Sequence, residues 1–193
     1  MVDDDEGMRD SMIWLLKGEG YTVACYDSAD SFLAAHNQRM HGCIVLDVHM
    51  PQMSGLELHE KRDALGSRLP IIFVTGHGDV PMAVSALQRG ACEFIQEPFN
   101  NEDLLSRIRR ALELDSQSSA RRQRDNVIEY RLRLLTQGER EVMQLVVAGK
   151  LNNQVADELD ISMKAVEAHR ARVMEKMGVR TVAELVRAVM SVN

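Results

Sequence analysis

Four groups able to do chemistry stand at the ends of short apolar runs in the first hundred residues. Asp3, Asp4 and Asp5 follow Val2, Asp47 closes CIVLD, Thr75 closes IIFVT, and Glu97 comes just after CEFI. If these runs are parallel strands, their carboxyl ends share one rim, and the four groups meet there. Clustered carboxylates make a hard-oxygen site suited to Mg²⁺, which takes one or two carboxylates and keeps several waters. With that charge screened, one aspartate can attack phosphorus and become an aspartyl phosphate, while the Thr75 hydroxyl hydrogen-bonds the transferred group. Taken singly, each residue reads as an acidic helix start or a lone strand-end aspartate. Taken together, with HMPQMSG after Asp47 and GHGDVPMA after Thr75, they read as a site.

The elements that must position them follow from periodicity. Strand-like runs fall at 21–26, 43–47, 71–75 and 92–95. Helical stretches at 8–20, 28–38, 54–65, 80–90 and 102–114 separate them, with Met12, Leu15 and Leu16 on one stripe and Leu104, Leu105, Ile108 and Leu112 on another. Such alternation predicts βαβ units and a parallel sheet covered on both faces. From Asp115 the pattern changes. DSQSSARRQRD is polar and reads as a linker over 116–133, partly helical. Only helices are expected beyond it, at 136–149, 153–160, 162–178 and 181–191.

Composition bounds the class. A chain of 193 residues has room for two small domains, and no apolar run is long enough for a membrane span. The expected setting is cytoplasmic. Cys25, Cys43 and Cys92 are odd in number and scattered among apolar residues, which favours buried free thiols over disulfides or metal ligands. The net charge of -6 hides an asymmetry: residues 1–115 carry 10 Lys+Arg against 19 Asp+Glu, and residues 116–193 carry 13 against 10. A mildly basic second half is compatible with a nucleic-acid partner.

In that second half, Val155, Ala156, Leu159 and Ile161 form one apolar stripe, and Val166, Val173 and Met177 form the stripe of the next helix. Lys164, Ala165, Glu167, Ala168, Ala171 and Arg172 would face outward. Two short helices joined by a turn at Ser162, the second bearing small and basic exposed residues, suit a reader of the DNA major groove. A plain helical bundle with solvated charges fits the periodicity equally well. Leu185, Val186 and Val189 form an apolar edge on the last helix, either core or dimer seam.

VDDDE (2–6), VLDVHMPQMSG (45–55), VTGHGD (74–79) and FIQEPF (94–99) strongly resemble, in order and spacing, the receiver domain of two-component response regulators. The stretch 134–186 closely resembles the LuxR-type helix-turn-helix domain, with residues 151–170 as the motif proper. Together they resemble the NarL/FixJ class, and Glu167, His169, Arg170 and Arg172 place the chain nearest its FixJ branch. The resemblance implies a flavodoxin-like doubly wound parallel sheet over 1–115, with its first strand truncated to Val2, and an all-α DNA-binding domain over 134–193. It implies Asp47 as phosphoacceptor, Asp3 and Asp4 as acid-pocket residues, Thr75 as switch hydroxyl and Phe94 as the aromatic that changes rotamer. Mg²⁺ would be held by Asp4, Asp47 and the backbone carbonyl of His49, with Asp3 beside them, and Pro98 would follow a cis bond. Promoter DNA would be met by Asn153, Gln154, Lys164, Glu167, Ala168, His169, Arg170, Arg172 and Lys176. The implied partners are a sensor histidine kinase, a second copy of the chain when active or on DNA, and RNA polymerase as one further candidate.

Several positions depart from the pattern. Glu97 stands where the family has a lysine that pairs with the acceptor carboxylate, so slower or weaker phosphorylation is expected. Gly138, Leu151 and Asn153 replace an arginine, a small polar residue and a frequent phosphate-contacting lysine. A receiver working without phosphorylation is therefore a second reading of the same sequence. A Mg²⁺-dependent aspartyl-phosphate phosphatase is a third; it lacks the second aspartate at position 49 and leaves the helix-turn-helix unexplained. The expectation is a regulator and not an enzyme.

Overall fold

The computed structural model describes residues 1–62, 66–76 and 80–192. The ends of the expected helix 54–65 and of the GHGD segment fall partly outside these residues. Two compact units result, Met1–Ser118 and Ser119–Asn193. In the first, strands β1 (Ile44–Asp47), β2 (Ile71–Thr75) and β3 (Glu93–Gln96) pair in parallel in the order β1-β2-β3. Ile44 lies opposite Ile71, and Phe73 lies opposite both Leu46 and Phe94. Helices α1 (Glu6–Gly18), α2 (Ala29–Ala35), α3 (Gly55–Arg62) and α4 (Val80–Gln88) come between and before these strands.

β2 is buried along its whole length, as the central strand of a sheet covered on both faces must be. Its alternate side chains feed two cores. Ile71 and Phe73 pack with Leu46, Val48, Leu58 and Ala86, while Ile72 and Val74 pack with Met12, Leu16, Leu104 and Ile108. Both helix stripes expected from periodicity, residues 12–16 and 104–112, thus bury against one face of the sheet, and the opposite face is covered by Leu58, Ala86 and Phe32.

The stretch 21–26 corrects the sequence reading: it forms no strand. Only Tyr26 pairs, through an isolated bridge to Val2, and Val2 in turn bridges Leu46. Val2 donates its N–H to Val45 O and accepts from Asp47 N, both at 2.9 Å, while Tyr26 N donates to Met1 O. One residue therefore does the work of a strand between Tyr26 and β1. Among the described residues, 21–25 pair with no strand, and Tyr26 alone is bridged. A cavity of about 230 Å³ lies there, lined by Leu16, Tyr21, Val23, Val45, Ile108 and others. The Met1 ammonium caps it by donating to Ala24 O at 2.7 Å, and burial holds that amine below its usual pKa.

A second difference concerns α5, which runs unbroken from Asn101 to Arg133, so the segment read as a partly helical linker is helical throughout. Its Ala120, Arg121, Arg122, Gln123 and Arg124 are good helix formers, and Arg121–Asp125 and Glu129–Arg133 add ion pairs at i,i+4 spacing, each at 3.8 Å. Asp115, on this helix, is buried and accepts a hydrogen bond from Gly42 N at 2.9 Å.

The second unit holds α6 (Gln137–Val147), α7 (Asn152–Leu159), α8 (Met163–Met177) and α9 (Val182–Ser191) around Val142, Met143, Val155, Val166, Val173, Met177 and Leu185. Leu185 and Val189 are buried in this core, and Val186 is half-buried. Thr136 and Glu139 form a reciprocal capping box at the start of α6. Cys25, Cys43 and Cys92 are unpaired and partly buried, and burial raises the Cys43 thiol to about 11. Among the described residues no helix is long and apolar enough to cross a membrane.

Candidate functional site

The carboxyl ends of β1, β2 and β3, together with the turn after Val2, form the rim of an open cavity of about 460 Å³. Asp3, Asp4, Asp47, His49, Thr75 and Glu97 all line it. Register explains the gathering. Asp47 is paired opposite Val74, Thr75 opposite Gln96, and Glu97 N donates to Thr75 O at 2.9 Å. Asp3 is placed by the same device that replaces the first strand, its N–H donating to Tyr26 O.

Oxygens of Asp3, Asp4 and Asp47 lie within 4.8 Å of one another. Three carboxylates this close, with one of them exposed to solvent, are the donor set expected of a divalent-cation pocket. Their environments differ. Asp3 is only 5% exposed, and burial, with Asp47 and Asp4 adding repulsion, raises its pKa to about 6 against a hydrogen bond from Asp5 N. Burial also raises Asp47, opposed by hydrogen bonds from the N–H groups of Val48 and His49 and reinforced by Asp4. Asp5 faces another task, accepting from Met8 N to cap α1.

Thr75 is buried, with its hydroxyl 3.1 Å from His49 Nδ1. That contact was not anticipated: the resemblance offered only the backbone of His49. Phe94 is half-buried, its ring centroid 6.3 Å from that of Phe73. The Glu97–Pro98 bond is cis. Glu97 is half-buried, and its Oε2 lies against Gly76, 3.3 Å from where a Cβ would stand. No Lys or Arg lines the cavity among the described residues.

In the second unit α7 and α8 are joined by Asp160, Ile161 and Ser162. Asp160 takes a left-handed conformation with φ of 52°, and Ser162 caps α8 by accepting from Ala165 N at 3.2 Å. Asn153, Gln154, Lys164, Glu167, Ala168 and Arg172 are exposed. Gln154 also accepts from Leu151 N, closing the start of α7 where Leu151 offers no cap of its own. Arg170 is half-buried and donates to Asn152, and His169 packs its ring against Gly138. Lys176 is paired within this unit. Its ammonium donates to Glu139 Oε2 at 2.6 Å and to Leu134 O at 3.1 Å, at the start of α6. Glu139 is buried, and this ammonium followed by the Thr136 N–H lowers its pKa. Leaving Glu139 unpaired in the core would be costly, so this pair holds the Lys176 ammonium against the start of α6.

Residues 1–109 match the response regulator receiver domain, and residues 133–189 match the luxR family of bacterial regulatory proteins. The response regulator protein TmoT of Ectopseudomonas mendocina is 43% identical over 97% of this chain and 85% of its own length. The transcriptional regulatory protein FixJ of Rhizobium meliloti (strain 1021) is 42% identical over 97% of this chain and 92% of its own. The solved structure of the response regulator StyR superimposes with a TM-score of 0.88 at 40% identity, covering 98% of this chain and 96% of that one. The chain is a response regulator of the NarL/FixJ class. It therefore couples a receiver to a helix-turn-helix unit, which settles the bundle-or-reader ambiguity that periodicity left open.

The raised pKa of Asp3 in this regulator has a testable sign. Ionising Asp3 costs the folded state, so the cost is fully present above about pH 6 and absent below about pH 4, where folded and unfolded chains both hold the proton. In chelator-treated buffer, Asp3→Asn should raise the melting temperature at pH 7.5 by a few degrees and leave it nearly unchanged at pH 4. The same shift at both pH values would contradict this.

Proposed function

We propose that this protein is a promoter-binding transcriptional regulator switched by phosphorylation of Asp47. The observation that carries the reading is the convergence of Asp3, Asp4 and Asp47 oxygens within 4.8 Å, beside the buried Thr75 hydroxyl. Asp47 attacks the phosphorus of a phosphohistidine on a sensor kinase, the phosphorus–nitrogen bond breaks, and the histidine leaves with the bonding pair. Asp4, Asp47 and the His49 carbonyl, with Asp3 beside them, are the residues that would hold Mg²⁺. When bound, the ion supplies charge neutralisation to the acceptor carboxylate and the arriving phosphoryl oxygens. Thr75 donates to the phosphoryl group, with His49 Nδ1 3.1 Å from the same hydroxyl. Phe94 sits beside Phe73 at the other end of that change and reports it through the sheet face.

In the DNA-binding unit, Lys164 and Arg172 on α8 provide cationic contacts. Glu167 and Ala168 lie between them on the exposed face, and Asn153 and Gln154 at the start of α7 address the backbone. Half-buried His169 and Arg170 support this surface from its edge. Two copies of the chain on paired half-sites and recruitment of RNA polymerase complete the reading. It places the protein in the cytoplasm.

One observation favours a second reading. Glu97 occupies the cavity wall where a lysine would pair with Asp47, and the described lining carries no cation of its own. A receiver so charged would serve as a phosphorylation-independent dimerisation module.

Phosphodonor treatment with Mg²⁺ should tighten binding to target promoter DNA, and Asp47→Asn should abolish the gain. Equal affinity before and after treatment would favour the phosphorylation-independent reading. Lys164→Ala should weaken binding to all sequences alike and reduce the salt dependence of log K by about one ion. A loss confined to one base position would assign Lys164 to base reading instead.

A further inference from the structure

We infer that Arg131 is a positioning residue for DNA reading: it fastens the end of α5 to the C-terminus of α8 and so fixes the pose in which α8 meets base edges. The inference rests on the reading of α8 as the helix that enters the groove, and it gives the segment before residue 134 a part in sequence selection. The last turns of α5 belong to the second unit, Ser119–Asn193, and Ile128 and Leu132 pack against its core. Arg131 is half-buried and donates from Nη1 to Met177 O at 2.6 Å.

The backbone turn after α8 spends its donors on other carbonyls: Gly178 N bonds Glu175 O, and Val179 N bonds Met174 O. A guanidinium at Met177 O adds a side-chain partner there and meets the negative pole of the helix dipole. Gly178 leaves room for the approach. Its φ of 63° suits a glycine, and a Cβ there would stand 2.6 Å from Arg131 Nη1. The clasp is reciprocal. Lys176 on α8 donates to Leu134 O at 3.1 Å, and Arg140 on α6 donates to Leu132 O at 3.0 Å. The ends of α5 and α8 thus hold each other's carbonyls through charged donors, which bond more strongly than neutral ones.

Lys164, Glu167, Ala168 and Arg172 are exposed on the helix that this clasp anchors. Base edges are read by hydrogen bonds that tolerate little displacement of the helix. Phosphate contacts by long cationic side chains carry no sequence information and survive a wider range of poses. Loosening the end of α8 therefore costs selectivity before it costs general affinity.

The test is binding of the full-length protein, with a small phosphodonor and Mg²⁺ present, to two probes. One is the duplex that the wild type enriches from a random-sequence pool; the other is a mixed-sequence duplex of the same length. R131M should bind the enriched duplex about tenfold more weakly while matching the wild type on the mixed-sequence duplex and in the salt dependence of log K. R131K, which retains a charged donor for Met177 O, should restore most of the preference. An equal loss on both duplexes, with the salt slope reduced by about one ion, would make Arg131 a phosphate contact and overturn the inference. A lower melting temperature with the preference intact, or failure of both R131M and the shorter R131A to fold, would make it a stability residue only and overturn it too. If the wild type enriches no duplex, DNA reading itself is contradicted, and the inference with it.

Discussion

The chemistry of the receiver unit depends on the register of a short parallel ladder. Leu46, Phe73 and Phe94 lie side by side, so the residues that follow them on β1 and β2, Asp47 and Val74, also align. One further step brings Thr75 level with Gln96, and Glu97 hydrogen-bonds back to Thr75. A slip of one residue would turn every side chain to the opposite face and scatter the rim. The fully buried Ile71, Ile72, Phe73 and Val74 prevent it, because each has a place in one of two cores. Hydrophobic packing thus fixes where polar groups meet.

The same ladder shows how little is needed to position Asp3. Val2 alone bridges Tyr26 and Leu46, and the bonds on either side of it anchor the acidic turn. Beside that bridge lies a cavity lined by Tyr21, Val23 and Val45, while the residues that meet at the rim are held by their own hydrogen bonds.

Much of this was legible in the sequence, and the exceptions have physical causes. The runs 43–47 and 71–75 are strands because their apolar residues find partners on both sides. YTVACY is similarly apolar and is not a strand, since pairing is a property of two segments and only its Tyr26 is bridged, to Val2. DSQSSARRQRD read as a linker because it lacks an apolar stripe; its charge spacing at i,i+4 was the signal that it continues α5. The Lys176–Glu139 pair was not legible because periodicity places Lys176 on a helix but cannot show which buried acid it meets. The His49–Thr75 contact joins residues 26 apart and depends on rotamers, which no pattern encodes. Asp47, Thr75 and Glu97 were legible because strand ends, not rotamers, bring them together.

Glu97 is the point where family membership and local electrostatics pull apart. The fold and both matched domains place the chain among response regulators, while the carboxylate on the cavity wall removes the cation such a site normally supplies. The account holds that the rim still makes Asp47 a phosphoacceptor, with a bound divalent ion carrying the missing charge. Intact-mass analysis followed by peptide mapping, after incubation with a small phosphodonor and Mg²⁺, tests this most directly. The account predicts one phosphoryl adduct per chain, mapped to Asp47. No adduct, or one mapped to another residue, would contradict it.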